Sequence, residues 1–383
     1  MCSSDLFDNL SFDADGNLVL LEDPGNQAYV SRVWKYVPAT GVSFPIATFR
    51  PNLFTSGQPG FLTIDEETSG VIDVSGILGY KAMLLVAQIH TTNGLPAGTA
   101  TEVVENGQLL LMRHLDAAAY TLVAANAAGS VTSAVANVTV TGTPGVTGQP
   151  INTSVNAGGS VNLSANVTGA TSYQWYKDGV AIPGANGATL SLNNVRGDVG
   201  TNHMGPSTVV PPVVDPLVPS YSFQALFSAG ESVNNKPDGT PYRMAGIPDG
   251  LGAFDNNDGT FTLLMNHELG NTVGLNRAHG GKGAFVSRWV LRKSDLAVLN
   301  ISDLMTNVFL WDTNGNTYTN ATNAAFSRFC SADLPAVSAY YNAATGLGTT
   351  NRLFMNGEEV GRESPALAHV VTGPRSEEHT SEL

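Results

Sequence analysis

Charge is scarce in this chain: 13% of residues are Asp, Glu, Lys or Arg, about half of the ~25% usual for a soluble domain. Long apolar runs are missing as well. None approaches the ~18 residues of a membrane span, so no transmembrane segment is expected. Cysteine is down to two residues, Cys2 and Cys330, which rules out a disulfide framework and leaves the compartment open. Basic side chains are few, 18 against 32 acids, for a net charge of -14. That balance argues against nucleic acid as a partner and suits a protein that binds divalent cations. Gly, Asn, Thr, Ser and Val fill the space instead, and they favour turns and strands over helices. An all-β chain is expected.

The most informative stretch is DGLGAFDNNDGTFTLLMNHEL, Asp249 to Leu269. It reads as a hairpin: a strand, a turn at Asn256–Gly259, and a returning strand from Thr260 to Met265. Asp258-Gly259 supplies the residue that tight hairpin turns demand. The returning strand runs into Asn266, His267 and Glu268, all capable metal or phosphate partners. The construction recurs at Asp8–Asp23, where Leu18–Leu21 ends on Glu22 and Asp23. A third, weaker copy is Arg352–Met355, ending on Asn356, Glu358 and Glu359. Repeated strand units with acidic ends predict a ring of sheets, a β-propeller, whose tips gather at one mouth around several cations. Ordinary hairpins with solvated acidic ends are the plainer alternative.

Both termini are set aside from this pattern. Arg375 to Leu383, RSEEHTSEL, is the translation of a common short-read sequencing adapter, and Met1 to Leu6, MCSSDL, is that of its reverse complement. Without them 368 residues remain, with 28 acids against 17 bases, and Cys330 becomes the sole cysteine.

Residues 7–114 read as short strands with turns at Asp15-Gly16, Thr40-Gly41, Pro59-Gly60 and Asn106-Gly107. Within them GFLTIDEETSGVIDVSGILG, Gly60 to Gly79, leads to an apolar strand from Met83 that ends on Gln88 and His90. Residues 115–199 have a different texture. Ala117–Val140 reads as the closing hairpin of an immunoglobulin-like sandwich, with Asp116 and Tyr120 in the tyrosine-corner pattern and Leu122 at a cysteine position. Val161–Val167 then reads as strand B, with Ala165 at the other cysteine position, Ser172–Gly179 as strand C around a core Trp175, and Ala188–Val195 as strand E. The closing hairpin precedes the opening strands. This is either a permuted sandwich or, preferably, the end of one domain followed by the start of another, since ten linking residues reach at most ~33 Å. Residues 200–219 form a Pro- and Val-rich linker, and 220–374 return to hairpins, with a short helix expected over Leu334–Asn342.

Little else carries chemistry. HGGKG, His279 to Gly283, lacks the spacing of a phosphate-binding loop. No Gly-x-Ser-x-Gly stands between a strand and a helix. Cys330 is either a buried structural thiol or a thiolate that selects iron, copper or zinc. Carboxylates at Glu268, Glu358 and Glu359 suit calcium.

DGLGAFDNNDGTFTLLMNHEL, FSRFCSADL and LFMNGEEVG together resemble the N-terminal half of the bacterial PhoX-type alkaline phosphatases, and FDNLSFDADGNLVLLEDPGN with the EETSGVIDVS-to-QIH region resembles the C-terminal half. The likeness covers 7–113 and about 216–374. It implies a secreted, periplasmic or cell-surface β-propeller that hydrolyses phosphate monoesters with Fe3+ and Ca2+. It further implies that Cys330 is an iron ligand, that Glu268, Glu358, Glu359 and Glu67 are metal carboxylates, and that no nucleic acid is bound. Arg328 is our candidate phosphate contact. The halves stand in reversed order, as in a misassembled read or a tail-to-head junction of neighbouring copies, and the middle of the propeller has no counterpart. An incomplete or permuted propeller with an immunoglobulin-like fragment is therefore expected, with little or no phosphatase activity. The alternative is a non-catalytic surface adhesion or binding protein with immunoglobulin-like spacers.

Overall fold

The computed structural model describes residues 7, 9–26, 29–114, 118–126, 129–132, 136–138, 159–164, 172–177, 180–195, 202–360, 364–373 and 375–379. Residues 1–6 with Cys2, residues 380–383, and Asp116 and Ala165 lie outside them. The chain divides into two compact units, 1–113 with 202–383, and 114–201.

The first unit is a propeller-like ring of four sheets. In strand order, the first sheet comprises Leu10–Phe12, Leu18–Leu21, Arg32–Val37, Val42–Phe49 and Val214–Pro216. The second comprises His203–Met204, Tyr221–Ser228, Asn106–His114, Ala82–Ile89 and Glu66–Asp73. The third comprises Pro248–Asp255, Thr260–His267, Phe285–Arg292 and Val298–Asp303. The fourth comprises Thr317–Asn320, Asn307–Asp312, Arg375–His379, Ala366–Val370, Leu353–Glu358 and Phe329–Asp333. Residues far apart in the chain share the first two sheets. Val214–Pro216 pairs with Val42–Phe49, and Tyr221–Ser228 lies between Asn106–His114 and His203–Met204. The Pro- and Val-rich stretch read as a linker instead contributes two short strands to the ring, His203–Met204 and Val214–Pro216.

Strand alternation explains how the sheets stack. All eight residues of Ala82–Ile89 are buried, and successive side chains of a strand point to opposite faces. Met83, Leu85, Ala87 and Ile89 enter an apolar cluster shared with the first sheet. Ala82, Leu84 and Val86 enter one shared with the third. A run that reads as continuous is thus a strand covered on both faces. The third sheet behaves alike: Phe261, Leu263 and Met265 face the second sheet, and Leu264 faces the fourth. Each fully buried aliphatic side chain contributes roughly 1.5–3 kcal/mol, so these clusters hold the ring together.

The hairpin turns are closed by their acids. Asp255 Oδ1 accepts the Asn257 N–H at 2.8 Å, and Asp258 Oδ1 accepts the Thr260 N–H at 2.9 Å. Asp13 Oδ1 accepts the N–H groups of Asp15 and Asn17 at 3.0 and 2.9 Å. The expected helix over Leu334–Asn342 is instead a single 3-10 turn, Val337–Tyr340. Tyr341–Asn342 leaves it to pair with Leu347–Gly348, so the hairpin takes the C-terminal end of the stretch away from the helix. Residues Arg375–His379, read as adapter-derived, form a strand beside Asn307–Phe309 and Ala366–His369. Among the described residues no helix is long and apolar enough to cross a membrane.

In the second unit, Ala118–Asn126 pairs with Ser172–Lys177, with Gly129–Thr132 and with Ala136–Val138. Gly159–Ser164 pairs with Thr189–Val195 in a separate two-stranded sheet. Trp175 is fully buried against Leu163 and Leu190, and its indole N–H donates to the Gly187 carbonyl at 2.8 Å. Core packing, the bland role for this residue, is the one observed.

Candidate metal centre

Three edge strands of the ring approach one another closely: Glu66–Asp73, Pro248–Asp255 and Phe329–Asp333. Glycine permits it. A Cβ on Gly70, whose φ is +40°, would lie 2.4 Å from the Asp249 carbonyl oxygen, and one on Gly250 would lie 2.6 Å from the Ala332 backbone nitrogen. Each strand breaks its pairing register at this level, between Ser69 and Val71, between Pro248 and Leu251, and between Phe329 and Ala332. Such irregularities re-aim side chains out of the alternation. Here they turn Asp249 and Cys330 toward Glu268, which follows directly on the Thr260–His267 strand.

The outcome is a cluster in which one ligand atom each from Asp249, Glu268 and Cys330 lies within 4.8 Å of the others. Gln88 Nε2 donates to Asp249 Oδ2 at 3.1 Å and to Glu268 Oε2 at 3.2 Å. Ser69 Oγ donates to Asp249 Oδ1 at 2.7 Å, and Asn9 Nδ2 donates to Ser69 Oγ at 3.1 Å. Cys330 Sγ donates to Glu359 Oε2 at 2.9 Å. Gln88 Oε1 is buried with no hydrogen-bond partner. A buried acceptor left over beside a carboxylate–thiol cluster is what a cation site presents when built of its ligands alone.

Beside the cluster opens a cavity of about 720 Å3, lined by Asp23, Asp65, Glu67, Glu105 and Glu268 with His90 and Arg328. Five carboxylates face two cationic side chains. His90 is clamped, Nδ1 at 2.8 Å from Glu105 Oε2 and Nε2 at 3.5 Å from Glu67 Oε1. Burial by itself would lower its pKa, but the bonds to Glu105 and Glu67 carry it up to about 10. Burial, with Asp23 close by, pushes Glu67 up to about 8. Burial also raises Glu268, against the opposing hydrogen bonds from Cys330 and Gln88. The Cys330 thiol is driven well above its ordinary value by burial and by the charges of Glu268 and Asp249. Protons therefore stand where positive charge is wanted. A divalent or trivalent cation meets the same need, and the mixed oxygen and sulfur donors fit a metal ion.

Each residue singled out in the sequence has a definite place. Glu268 and Cys330 meet in the cluster. Glu359 reaches Cys330, with Arg328 Nη1 4.0 Å from its Oε2. Arg328, at φ +51°, lines the cavity with Glu67. Glu358 stands one step back, its Oε1 accepting the Ser327 N–H at 2.6 Å. Of the trio Asn266, His267 and Glu268, only Glu268 lines the cavity. His267 stacks on Phe285 at 4.4 Å and sits 2.8 Å from Ser287 Oγ, and burial lowers its pKa to about 3. Asn266 donates to the Ser331 carbonyl at 3.1 Å and accepts from Asn356 at 3.0 Å. Glu22 is likewise a structural acid, accepting the Arg32 N–H at 2.7 Å and the Trp34 indole N–H at 2.6 Å.

Asp249, Gln88, His90, Asp23, Asp65 and Glu105 were not named as site residues from the sequence. His90 and Asp23 carry the signal used for Glu268, a polar side chain just past a strand end. Asp249 lies inside a strand, where alternation gives no hint of a bulge. Comparison with family models, curated proteins and solved structures returns no match to this chain.

Proposed function

We propose that the first unit is a metal-binding propeller of phosphatase lineage, whose centre binds phosphate monoesters but turns them over feebly. The observation that carries this reading is the convergence of Asp249, Glu268 and Cys330 within 4.8 Å of one another. A thiol among carboxylates favours iron at that cluster. The carboxylates of Asp23, Asp65, Glu67 and Glu105 favour calcium. Bound there, the cations would neutralise phosphoryl oxygens and orient an attacking oxygen. Arg328, at the cavity wall, suits a phosphoryl contact of the bidentate kind. Glu105 and Glu67 hold the His90 ring in place. No side-chain nucleophile is required.

Further support comes from the shared sheets. Strands of 202–228 complete sheets begun by 7–114, as they would if the halves of a ring were joined in reversed order. Feeble turnover is expected because the middle of the propeller, with the ligands it would contribute, has no counterpart in this chain. The reading carries with it an exported location. For the second unit we infer an immunoglobulin-like module; the pairing of 118–126 with 172–177 favours the permuted sandwich over the two domain ends preferred from the sequence.

Elemental analysis of the purified full chain, alongside an assay with p-nitrophenyl phosphate in calcium and iron, tests the proposal. Iron and calcium present, with iron lost in Cys330→Ser, is the expected result. A metal-free protein returns the chain to the non-catalytic adhesion or binding class, and vigorous turnover contradicts the expectation of feeble activity.

A further inference from the structure

Along Ala82–Ile89 the side chains of Ala82, Leu84 and Val86 enter the cluster shared with the third sheet, and alternation carries Gln88 onto the same face. Gln88 is completely buried there. It stands opposite Gly107, where a Cβ would lie 2.4 Å from Pro248 Cδ. The missing side chain lets the strand that carries Asp249 come up against the amide. The two ends of that amide are unequally served. Nε2 donates to Asp249 Oδ2 at 3.1 Å and to Glu268 Oε2 at 3.2 Å, whereas Oε1 is buried with no hydrogen-bond partner. Buried amides ordinarily satisfy both ends. Here two carboxylates claim the nitrogen, whose hydrogens place positive charge between negative oxygens, as a cation would.

We propose that Gln88 is a fourth ligand of the Asp249, Glu268 and Cys330 cluster, giving its carbonyl oxygen to the cation once the amide has turned over. This rests on the metal-binding reading above and adds to it a ligand and a switch. The terminal torsion of a glutamine is broad and two-fold, and its oxygen and nitrogen are nearly the same size, so turnover needs no backbone movement. It brings Oε1 to the place that Nε2 holds, beside Asp249 Oδ2 and Glu268 Oε2. A cation drives the exchange, because N–H donors repel positive charge and a carbonyl oxygen attracts it. The donors are then two carboxylates, an amide oxygen and a thiolate, a mixed set of hard and soft ligands. The nearby amide of Asn266 has no oxygen to give. Its Nδ2 donates to the Ser331 carbonyl and its Oδ1 accepts from Asn356.

Cobalt(II) titration of the full chain tests this, with affinity read by competition against a chelator and ligand number by the visible absorption of the bound ion. Gln88→Leu removes both ends of the amide. It should weaken binding by about tenfold or more and intensify the absorption, since cobalt with fewer ligands absorbs more strongly. Gln88→Glu keeps an oxygen and loses the N–H donor. It should bind at least as tightly as wild type, with the wild-type intensity. Were N–H donation to the two carboxylates the whole role of Gln88, Gln88→Glu would bind as weakly as Gln88→Leu, and that result overturns the proposal. Wild-type affinity and absorption in Gln88→Leu overturn it too. In both cases the wild type still binds cobalt, so the metal-binding reading survives; a wild type that takes up no cobalt removes both. Thermal melts with cobalt present check folding, and if Gln88→Leu does not fold, Gln88→Glu decides alone, because binding lost with the N–H donor overturns the proposal.

Discussion

Glu66 shows how much a single buried acid can set. It is 2% exposed, its Oε1 accepts the Ser31 N–H at 3.1 Å, and its Oε2 has no hydrogen-bond partner. Burial pushes its pKa up to about 7, against the Ser31 hydrogen bond. The folded state therefore holds the proton more tightly than the unfolded chain. The stability this lends is whole below the ordinary carboxylate pKa near 4.5 and is lost as pH rises through about 7. Glu66→Gln should consequently stabilise the metal-free protein at pH 8 by about 2 kcal/mol, and leave it nearly unchanged at pH 4. Thermal melts at the two pH values decide; a destabilised variant at pH 8 would contradict the account. His267 runs the other way. With its pKa lowered to about 3, the unfolded chain binds the proton better, so stability falls as pH drops below the usual imidazole range. His267→Gln should flatten the acid limb of the stability profile, which melts between pH 4 and 7 would register.

Among the elements, the three irregular strands matter most. Gly250 lies against Ala332, two residues from Cys330, so a methyl group there must push the Phe329–Asp333 strand away. Gly250→Ala should weaken metal binding at the Asp249, Glu268 and Cys330 cluster at least tenfold, as competition with a chelator would measure. The sequence made the hairpins, the acidic strand ends and Cys330 legible, because turn chemistry and alternation are local. It did not make Asp249 legible, because a bulge is decided by the neighbouring strand. Nor did it separate Glu268 from His267, since which of two adjacent side chains faces the core depends on where the strand stops twisting into the sheet. The helix expected before Asn342 failed for a related reason: the pairing partner Leu347–Gly348 outweighed a weak local preference.

For the whole molecule, the distinctive point is that distant stretches of chain complete one another's sheets. Lys35 is anchored by Asp13 at 2.7 Å and donates to the Tyr221 hydroxyl at 2.9 Å, a buried tie from residues before 114 to residues after 202. Phe227 stacks edge-on against Trp289 at 5.3 Å, and both are fully buried. Phe227→Ala should cost about 3–5 kcal/mol. It should lower a single cooperative transition of the four sheets; two separate transitions would show that the halves fold apart. The way 202–228 threads both early sheets was not readable in the sequence, because strand pairing at that range leaves no periodic trace.

The account turns on whether Asp249, Glu268 and Cys330 jointly hold a metal ion. The most direct measurement is metal stoichiometry by elemental analysis, on the wild-type chain and on Asp249→Asn, Glu268→Gln and Cys330→Ser purified in parallel. Iron in the wild type, lost in each of the three variants with folding intact, is the predicted result. A folded wild type without metal, or iron retained when all three residues are replaced, would contradict it.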